Sequence, residues 1–206
     1  TRQNNRWYIN ESLCCDDPAE ANSRALVLLT KGVESFTFRL PEGRPLETAD
    51  FATLLKGIAL DKVPVGFRGC CPKTVGTLVN FLKYVDSLGI DRDAVHATFD
   101  FSPLRPLNKR GTFCEEKGFN AVIECVKAAA PYKNVRVIEV GAYIYNSCGA
   151  SSTQELAFAL SQGSEYLSRL SEAGFDVETI ARKIYFHFAV GSSYFMEIAK
   201  FRAARM

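Results

Sequence analysis

The chain has 206 residues, 47% hydrophobic and 23% charged, with 25 basic against 23 acidic residues and a formal net charge of +2. That is ordinary globular composition, and a chain of this length buries roughly 70% of its unfolded surface, so a disordered chain is excluded. The near balance of charge, the lack of a dense Lys/Arg run and the lack of an apolar run of roughly 20 residues argue against a nucleic-acid or a membrane partner.

Strand and helix patterns then alternate from end to end. Strand patterns are expected at Trp7–Asn10, Ser35–Leu40, Val63–Arg68, Ala97–Phe101, Val135–Tyr143 and Lys183–Val190, short and rich in β-branched and aromatic residues. After the first, Asp17 is an N-cap with Pro18 at the first helical position, and the helix stops at Gly32. Helical stripes follow at Phe51, Leu54, Leu55 and Ile58; at Leu78, Phe81, Leu82, Val85 and Leu88; at Phe119, Val122, Ile123 and Val126; and at Leu156, Leu160, Leu167 and Leu170. Six βα units without a long linker predict one α/β domain over 1–206. The choice lies between an open doubly wound sheet and a (β/α)8 barrel; no G-x-G-x-x-G follows the first strand, so the dinucleotide-binding version loses support, and an incomplete TIM barrel of about six strands is expected. The segment from Ser192 to Met206 reads as a helix without a stop signal, and the chain opens at Thr1 without an initiator Met. A portion of a longer polypeptide is therefore expected. Phe36, Phe38, Phe67, Phe99 and Ile138 are read as the inner strand faces, so the isolated chain is expected either to self-associate or to cover its open sheet edge with the terminal helix through Phe195, Ile198 and Phe201.

Seven cysteines, at 14, 15, 70, 71, 114, 125 and 148, form two vicinal pairs and no C-x-x-C spacing. An odd count in a chain of this size points away from a disulfide scaffold and a zinc site and toward a reducing cytoplasm. No signal or transit peptide is visible.

Ligands of α/β folds gather beyond the carboxyl ends of the strands, and that region is poor in acid–base groups here. His96 lies before the fourth strand and His187 reads as a core residue inside the last. Asp100 and Glu139 could each serve as a base; an ion pair with Arg39, Arg68 or Arg136 is the preferred reading. Arg39, Arg68, Arg105 and Arg110 lie at or just past strand ends and could hold an anion such as a phosphate, against the plainer reading of solvated charge. Metal, P-loop and triad signatures are absent from the sequence.

Three segments carry a resemblance. Thr153–Leu160, followed by Gly163 and Glu165–Leu167, looks like a barrel helix of the adenosylcobalamin-dependent acyl-CoA mutases. Phe195–Arg205 resembles the next and most specific segment of that family, and Asn5–Ile9 leading to Asp17–Asn22 resembles its first barrel unit. The chain is thus similar to methylmalonyl-CoA mutase, and to its small, non-catalytic subunit type in particular. The resemblance implies a barrel that threads the pantetheine arm of coenzyme A, adenosylcobalamin in the holoenzyme, and a catalytic large subunit as partner through which alone acyl-CoA is engaged. The family's cobalamin motif, Asp-x-His-x-x-Gly, does not occur in this sequence, so no cobalamin-binding domain is expected within it. Ser12 stands where catalytic members carry a Tyr, Asp100 and Asn146 where they carry Gln, and Ile144 where they carry His; Arg110 matches a substrate-contacting Arg. No catalytic residue, cofactor ligand or metal ligand is therefore expected in this chain. A divergent active mutase barrel and an unrelated barrel enzyme for a small phosphorylated ligand are the competing readings.

Overall fold

The computed structural model describes residues 7–41, 44–69, 71–112 and 115–206, with the backbone alone for 71–74, 115 and 116. Cys70, Cys114 and the side chain of Cys71 lie outside the described residues, as do Asn5 and Arg6. The chain forms two compact units. One holds the residues up to Asp100 with Lys127–Arg136; the other holds Phe101–Val126 and Val137–Met206.

The first unit is a five-stranded parallel sheet in the order β1 (Asn10–Cys14), β2 (Ser35–Arg39), β3 (Val65–Arg68), β4 (Ala97–Phe99) and β5 (Val135–Arg136). Helices α1 (Pro18–Thr30), α2 (Thr48–Leu54) and α3 (Cys71–Leu88) connect the strands. The start of α1 is set as the sequence indicates: Asp17 Oδ1 accepts from the backbone N–H of Ala19 at 2.8 Å and of Glu20 at 3.2 Å, and Pro18 opens the helix. Gly32, with φ of +93°, adopts the left-handed turn that follows the helix.

Alternation along the strands gives this sheet two different faces. Leu13, Phe36, Phe38, Val65, Phe67, Ala97, Phe99 and Val135 are buried on one. Phe67 lies 5.4 Å from Phe51 of α2 and 5.2 Å from Phe81 of α3, and Phe81 lies 5.6 Å from Phe99, so this apolar face packs against the helices. The opposite face is polar. Register places Ser12 beside Thr37, Thr37 beside Gly66, Gly66 beside Thr98 and Thr98 beside Arg136, one residue from each strand. The sequence-based assignment of Phe36, Phe38, Phe67 and Phe99 to the inner face is thereby corrected: they are the helix-covered layer.

The second unit carries α4 (Arg105–Arg110), most of α5 (Glu115–Ala129), β6 (Ile138–Val140), α6 (Tyr143–Ser147), α7 (Ser152–Glu172), α8 (Val177–Lys183), β7 (Ile184–Phe186) and α9 (Tyr194–Ala203). Strands β6 and β7 pair in parallel, with Glu139 opposite Tyr185. A capping box between Ser151 and Gln154 opens α7. Gly163 lets that helix close on β7: a Cβ there would stand 3.1 Å from the Phe186 ring.

The alternation of strand and helix and the parallel pairing are those of a partial β/α barrel, and the described strands lie in two sheets without closing. Four expectations shift. The first strand runs over Asn10–Cys14 rather than Trp7–Asn10. The long pattern from Val135 divides into β5 and β6, which pair with different neighbours, so seven strands replace six among the described residues. The last strand ends at Phe186, leaving His187 just beyond it. In α9 the inward residues are Glu197 and Lys200, whereas Phe195 is 83% exposed and Ile198 and Phe201 are also exposed, so the apolar stripe does not serve as a cover.

Candidate functional site

Two groups of functional side chains emerge, one in each unit. In the first, Asp100 follows β4 and is buried; its Oδ1 accepts the Gly69 N–H at 3.0 Å and its Oδ2 lies 3.8 Å from Arg68 Nε. Of the three arginines considered for Asp100, Arg68 is the partner found. Arg39 is the register neighbour of Arg68 and carries no ion pair among the described residues. Ser12 sits mid-strand in β1 on the polar face. At the opposite, amino ends of the strands, a cavity of about 320 Å³ is lined by Asn10, Thr37, Gly66, His96, Thr98 and Arg136, among others. The Arg136 guanidinium has no partner among the described residues. Gly66 keeps this floor shallow, since a Cβ there would come within 2.8 Å of Thr98 Oγ1 and 3.2 Å of Thr37 Oγ1.

In the second unit, β6 carries a buried carboxylate, Glu139, at its middle residue. One oxygen of Glu139 accepts from Arg105, and the other lies 3.0 Å from His187 Nδ1. Arg105 thus binds Glu139 rather than standing free for an anion, while Arg110, at the far end of α4, is exposed and has no ion pair among the described residues. Of the four arginines expected to gather, Arg39 and Arg68 fall in one unit and Arg105 and Arg110 in the other.

Ile144 is buried in α6. Asn146 of the same helix donates to Glu155 Oε2 at 3.3 Å. That oxygen also accepts from Lys200 Nζ at 2.9 Å, and Lys200 donates further to the Ala189 carbonyl at 2.8 Å and pairs with Glu197 at 2.6 Å. Burial acts against the Lys200 ammonium, but hydrogen bonds to Glu155 and Glu197 outweigh it, and its pKa lies above the ordinary lysine value. The Lys200 hydrogen bond in turn holds Glu197 below the usual glutamate range. Beside this, Tyr166 exchanges hydrogen bonds with Ser102 at 3.0 Å and Gln162 at 2.7 Å, and burial pushes its hydroxyl up to about 12.

Neither His187–Glu139 nor Lys200–Glu155 follows from local spacing, because the partners are 48 and 45 residues apart. Among the described residues no cluster of His, Cys, Asp or Glu is arranged to hold a metal ion, and no helix is long and apolar enough to cross a membrane.

Comparison with known proteins places this arrangement. The family model for methylmalonyl-CoA mutase matches residues 46–206. The chain belongs to the methylmalonyl-CoA mutase family. It is 38% identical over all 206 residues to a methylmalonyl-CoA mutase small subunit from Porphyromonas gingivalis, covering 33% of that protein. Against the small subunit from Streptomyces virginiae it is 32% identical over 201 residues, 97% of this chain and 32% of the relative. The large subunit of methylmalonyl-CoA mutase from Streptomyces virginiae is 31% identical over 160 residues, 76% of this chain and 22% of that protein. The chain thus spans about a third or less of the length of these mutase relatives.

Proposed function

We propose that this chain is the barrel portion of a methylmalonyl-CoA mutase small subunit. It does not itself rearrange substrate, and it serves to pair with and stabilise a catalytic large subunit. The observation that carries the reading is at α6. Ile144 occupies the position where the family resemblance expects a His, and it is buried with an apolar side chain that can neither hydrogen-bond a thioester carbonyl nor pass a proton. Asn146, at the expected Gln position, is committed to Glu155. Ser12 and Asp100 complete the set of departures, Asp100 being held by Gly69 and Arg68. Small and large subunits of one organism, Streptomyces virginiae, both resemble this chain, which supports a large-subunit partner and acyl-CoA engaged through it.

Adenosylcobalamin belongs to the proposed holoenzyme. This chain's own residues do not fit it: neither histidine stands in an Asp-x-His-x-x-Gly motif, and His187 is turned through Nδ1 onto Glu139. Cysteines 14, 15 and 148 form no disulfide, which supports a reducing, cytoplasmic setting.

The test is copurification and turnover. The protein carrying this chain is expected to copurify with a larger homologous chain, and methylmalonyl-CoA isomerisation with adenosylcobalamin is expected only when that partner is present. Turnover by this chain alone would overturn the reading.

The polar face of the first unit favours a second reading, a barrel that retains an acyl-CoA pocket. Arg136 and the hydroxyls of Thr37 and Thr98 around the 320 Å³ cavity suit an anionic, extended ligand. A saturable rise in melting temperature with coenzyme A, lost in Arg136→Ala, would support it; under the first reading coenzyme A leaves the melting temperature unchanged.

A further inference from the structure

The chemistry at the carboxyl ends of β6 and β7 is not accounted for by a pairing role. Glu139 is a carboxylate with 1% of its side chain exposed, a placement that costs free energy unless both oxygens are engaged. They are. Arg105, at the first position of α4, takes one oxygen, and His187, the residue after β7, faces the other through Nδ1 at 3.0 Å. The imidazole is held from the side by the Tyr143 ring, with centroids 4.5 Å apart. Its backbone is fixed as well, the His187 N–H donating to the Val140 carbonyl at 3.0 Å and the Tyr143 N–H to the His187 carbonyl at 3.0 Å. Two side chains thus hold the ring and two hydrogen bonds hold its backbone, all from elements of one unit. Its Nε2 has no hydrogen-bond partner among the described residues, and 37% of the side chain is open to solvent.

An acceptor on Nδ1 sets the tautomer. A carboxylate accepts and does not donate, so the ring places its hydrogen on Nδ1 and leaves the lone pair on Nε2. This is the relation of orienting carboxylate to base found in nucleophilic dyads, and it lies at the strand ends where β/α folds place their chemistry. Arg105 completes it by donating to the carboxylate's second oxygen, which leaves one oxygen for the ring.

We propose that His187, oriented by Glu139 and Arg105, is a nucleophilic and proton-accepting site whose ligands are small acyl electrophiles. In the covalent step the Nε2 lone pair attacks the acyl carbonyl and the leaving group departs with the bonding electrons. The Nδ1 proton passes to the leaving-group anion, giving a neutral acyl-imidazole; water then adds its hydroxyl to the acyl carbon and its remaining proton to the ring, releasing the free acid and the resting imidazole. This site lies beside Ile144, since a Cβ at Gly141 would stand 3.3 Å from Glu139 Oε2 and 3.6 Å from Ile144 Cδ1, but it draws on neither Ile144 nor Asn146, so failure of the small-subunit reading leaves it untouched, and the reverse holds too.

Diethylpyrocarbonate, itself a small acyl electrophile, is the probe. On the full chain, carbethoxylation is followed by peptide mass spectrometry at His187 and at His96, the chain's other histidine, which is exposed and has no carboxylate partner among the described residues. His187 is expected to react several-fold faster than His96, although it is the less exposed of the two. Glu139→Gln should bring the His187 rate down about five-fold or more while the His96 rate, the fold control, stays constant. Because that substitution leaves Arg105 without its anion, a second measurement on the unaltered chain protects the test: nitrogen-15 NMR of the imidazoles should show His187 with hydrogen on Nδ1. A His187 rate no higher than that of His96, a rate indifferent to Glu139→Gln, or hydrogen on Nε2 would each overturn the proposal.

Discussion

Lys200→Met is the most informative stability perturbation the structure offers. The Lys200 side chain is 1% exposed and that of Glu155 0%, and the ammonium also serves the Ala189 carbonyl and Glu197. Methionine keeps most of the stem volume and removes only the charge and its donors. Removing one member of a buried pair costs about 3–5 kcal/mol, chiefly because the remaining carboxylate stays buried without a counter-charge. The matching surface control is Arg182→Ala, which breaks an exposed i,i+4 pair with Glu178 and should leave stability almost unchanged. Urea unfolding at constant m value reads both. Adding Glu155→Leu to Lys200→Met removes the stranded charge and should recover part of the loss. The pH dependence has a definite sign. Glu197 is depressed in the folded chain, so its contribution is present above the ordinary glutamate range and is lost as pH falls through the depressed value. Lys200 is raised, so its contribution is complete below the ordinary lysine range and is lost as pH rises through the raised value. The difference between parent and Lys200→Met should therefore be a plateau around neutrality that shrinks at both ends. A cost below about 1 kcal/mol, or no larger than that of Arg182→Ala, would refute the argument that this network anchors α9.

Other outcomes follow from the same geometry. Phe67→Ala, at the centre of rings Phe38, Phe51, Phe81 and Phe99 at 5.0–5.9 Å, should cost about 3–5 kcal/mol in the same urea assay. Gly66→Ala should lose about 1–3 kcal/mol, because its Cβ meets Thr98 Oγ1 at 2.8 Å, and pairing it with Thr98→Ala should return much of that loss. Burial lowers Lys183 to about 8, so the unfolded chain binds more protons between that value and the ordinary lysine range; stability should rise with pH across this window, and Lys183→Met should flatten the rise. Tyr194, Phe195, Met196 and Ile198 form an exposed apolar patch on α9, so the isolated chain should self-associate in sedimentation and Phe195→Ser should weaken that association.

The parts of the fold governed by local rules were legible. Asp17, Pro18 and Gly32 bound α1 because capping needs only neighbouring atoms, and the period of 3.6 located the faces of α3 and α5, whereas in α7 the expected stripe of Leu156, Leu160 and Leu167 gives way to a buried face of Glu155, Ala159, Gln162, Gly163, Tyr166 and Leu170. What period two could not supply was the side of the sheet that the helices cover. Phe36, Phe38, Phe67 and Phe99 share a face under either assignment, and only Phe51 and Phe81 packed against them decide which one it is. The division of the long apolar run into β5 and β6 was hidden for a related reason: Val137 pairs its N–H with the Lys183 carbonyl, a partner far along the chain. In α9 the helical spacing of Phe195, Ile198 and Phe201 suggested an inward stripe, yet Glu155 offers a buried carboxylate that draws Lys200 inward instead. A charge-assisted bond in a dry site can thus reverse the face that hydrophobicity alone would choose. The polar group at Glu139 was partly visible, since an ion pair was the preferred reading, but its partner Arg105 lies 34 residues away on a helix that no strand pattern announces.

The two buried networks bear differently on chemistry. Asn146, Glu155, Lys200 and Glu197 join α6, α7 and α9 through a carboxylate whose oxygens are taken by Lys200 and Asn146 on one side and the Ala189 N–H on the other. A helix held this way presents position 144 in a fixed place whether or not the residue there is reactive. An isoleucine at that place gains burial, whereas an imidazole would need a partner that the neighbouring groups have already committed elsewhere. Restoring one ionisable side chain to α6 would therefore meet a desolvation cost before it met a substrate. At Glu139 the balance is the opposite. The carboxylate is satisfied on both oxygens and still leaves Nε2 of His187 free, so the same requirement that buried charge be paired yields an available lone pair instead of a closed network.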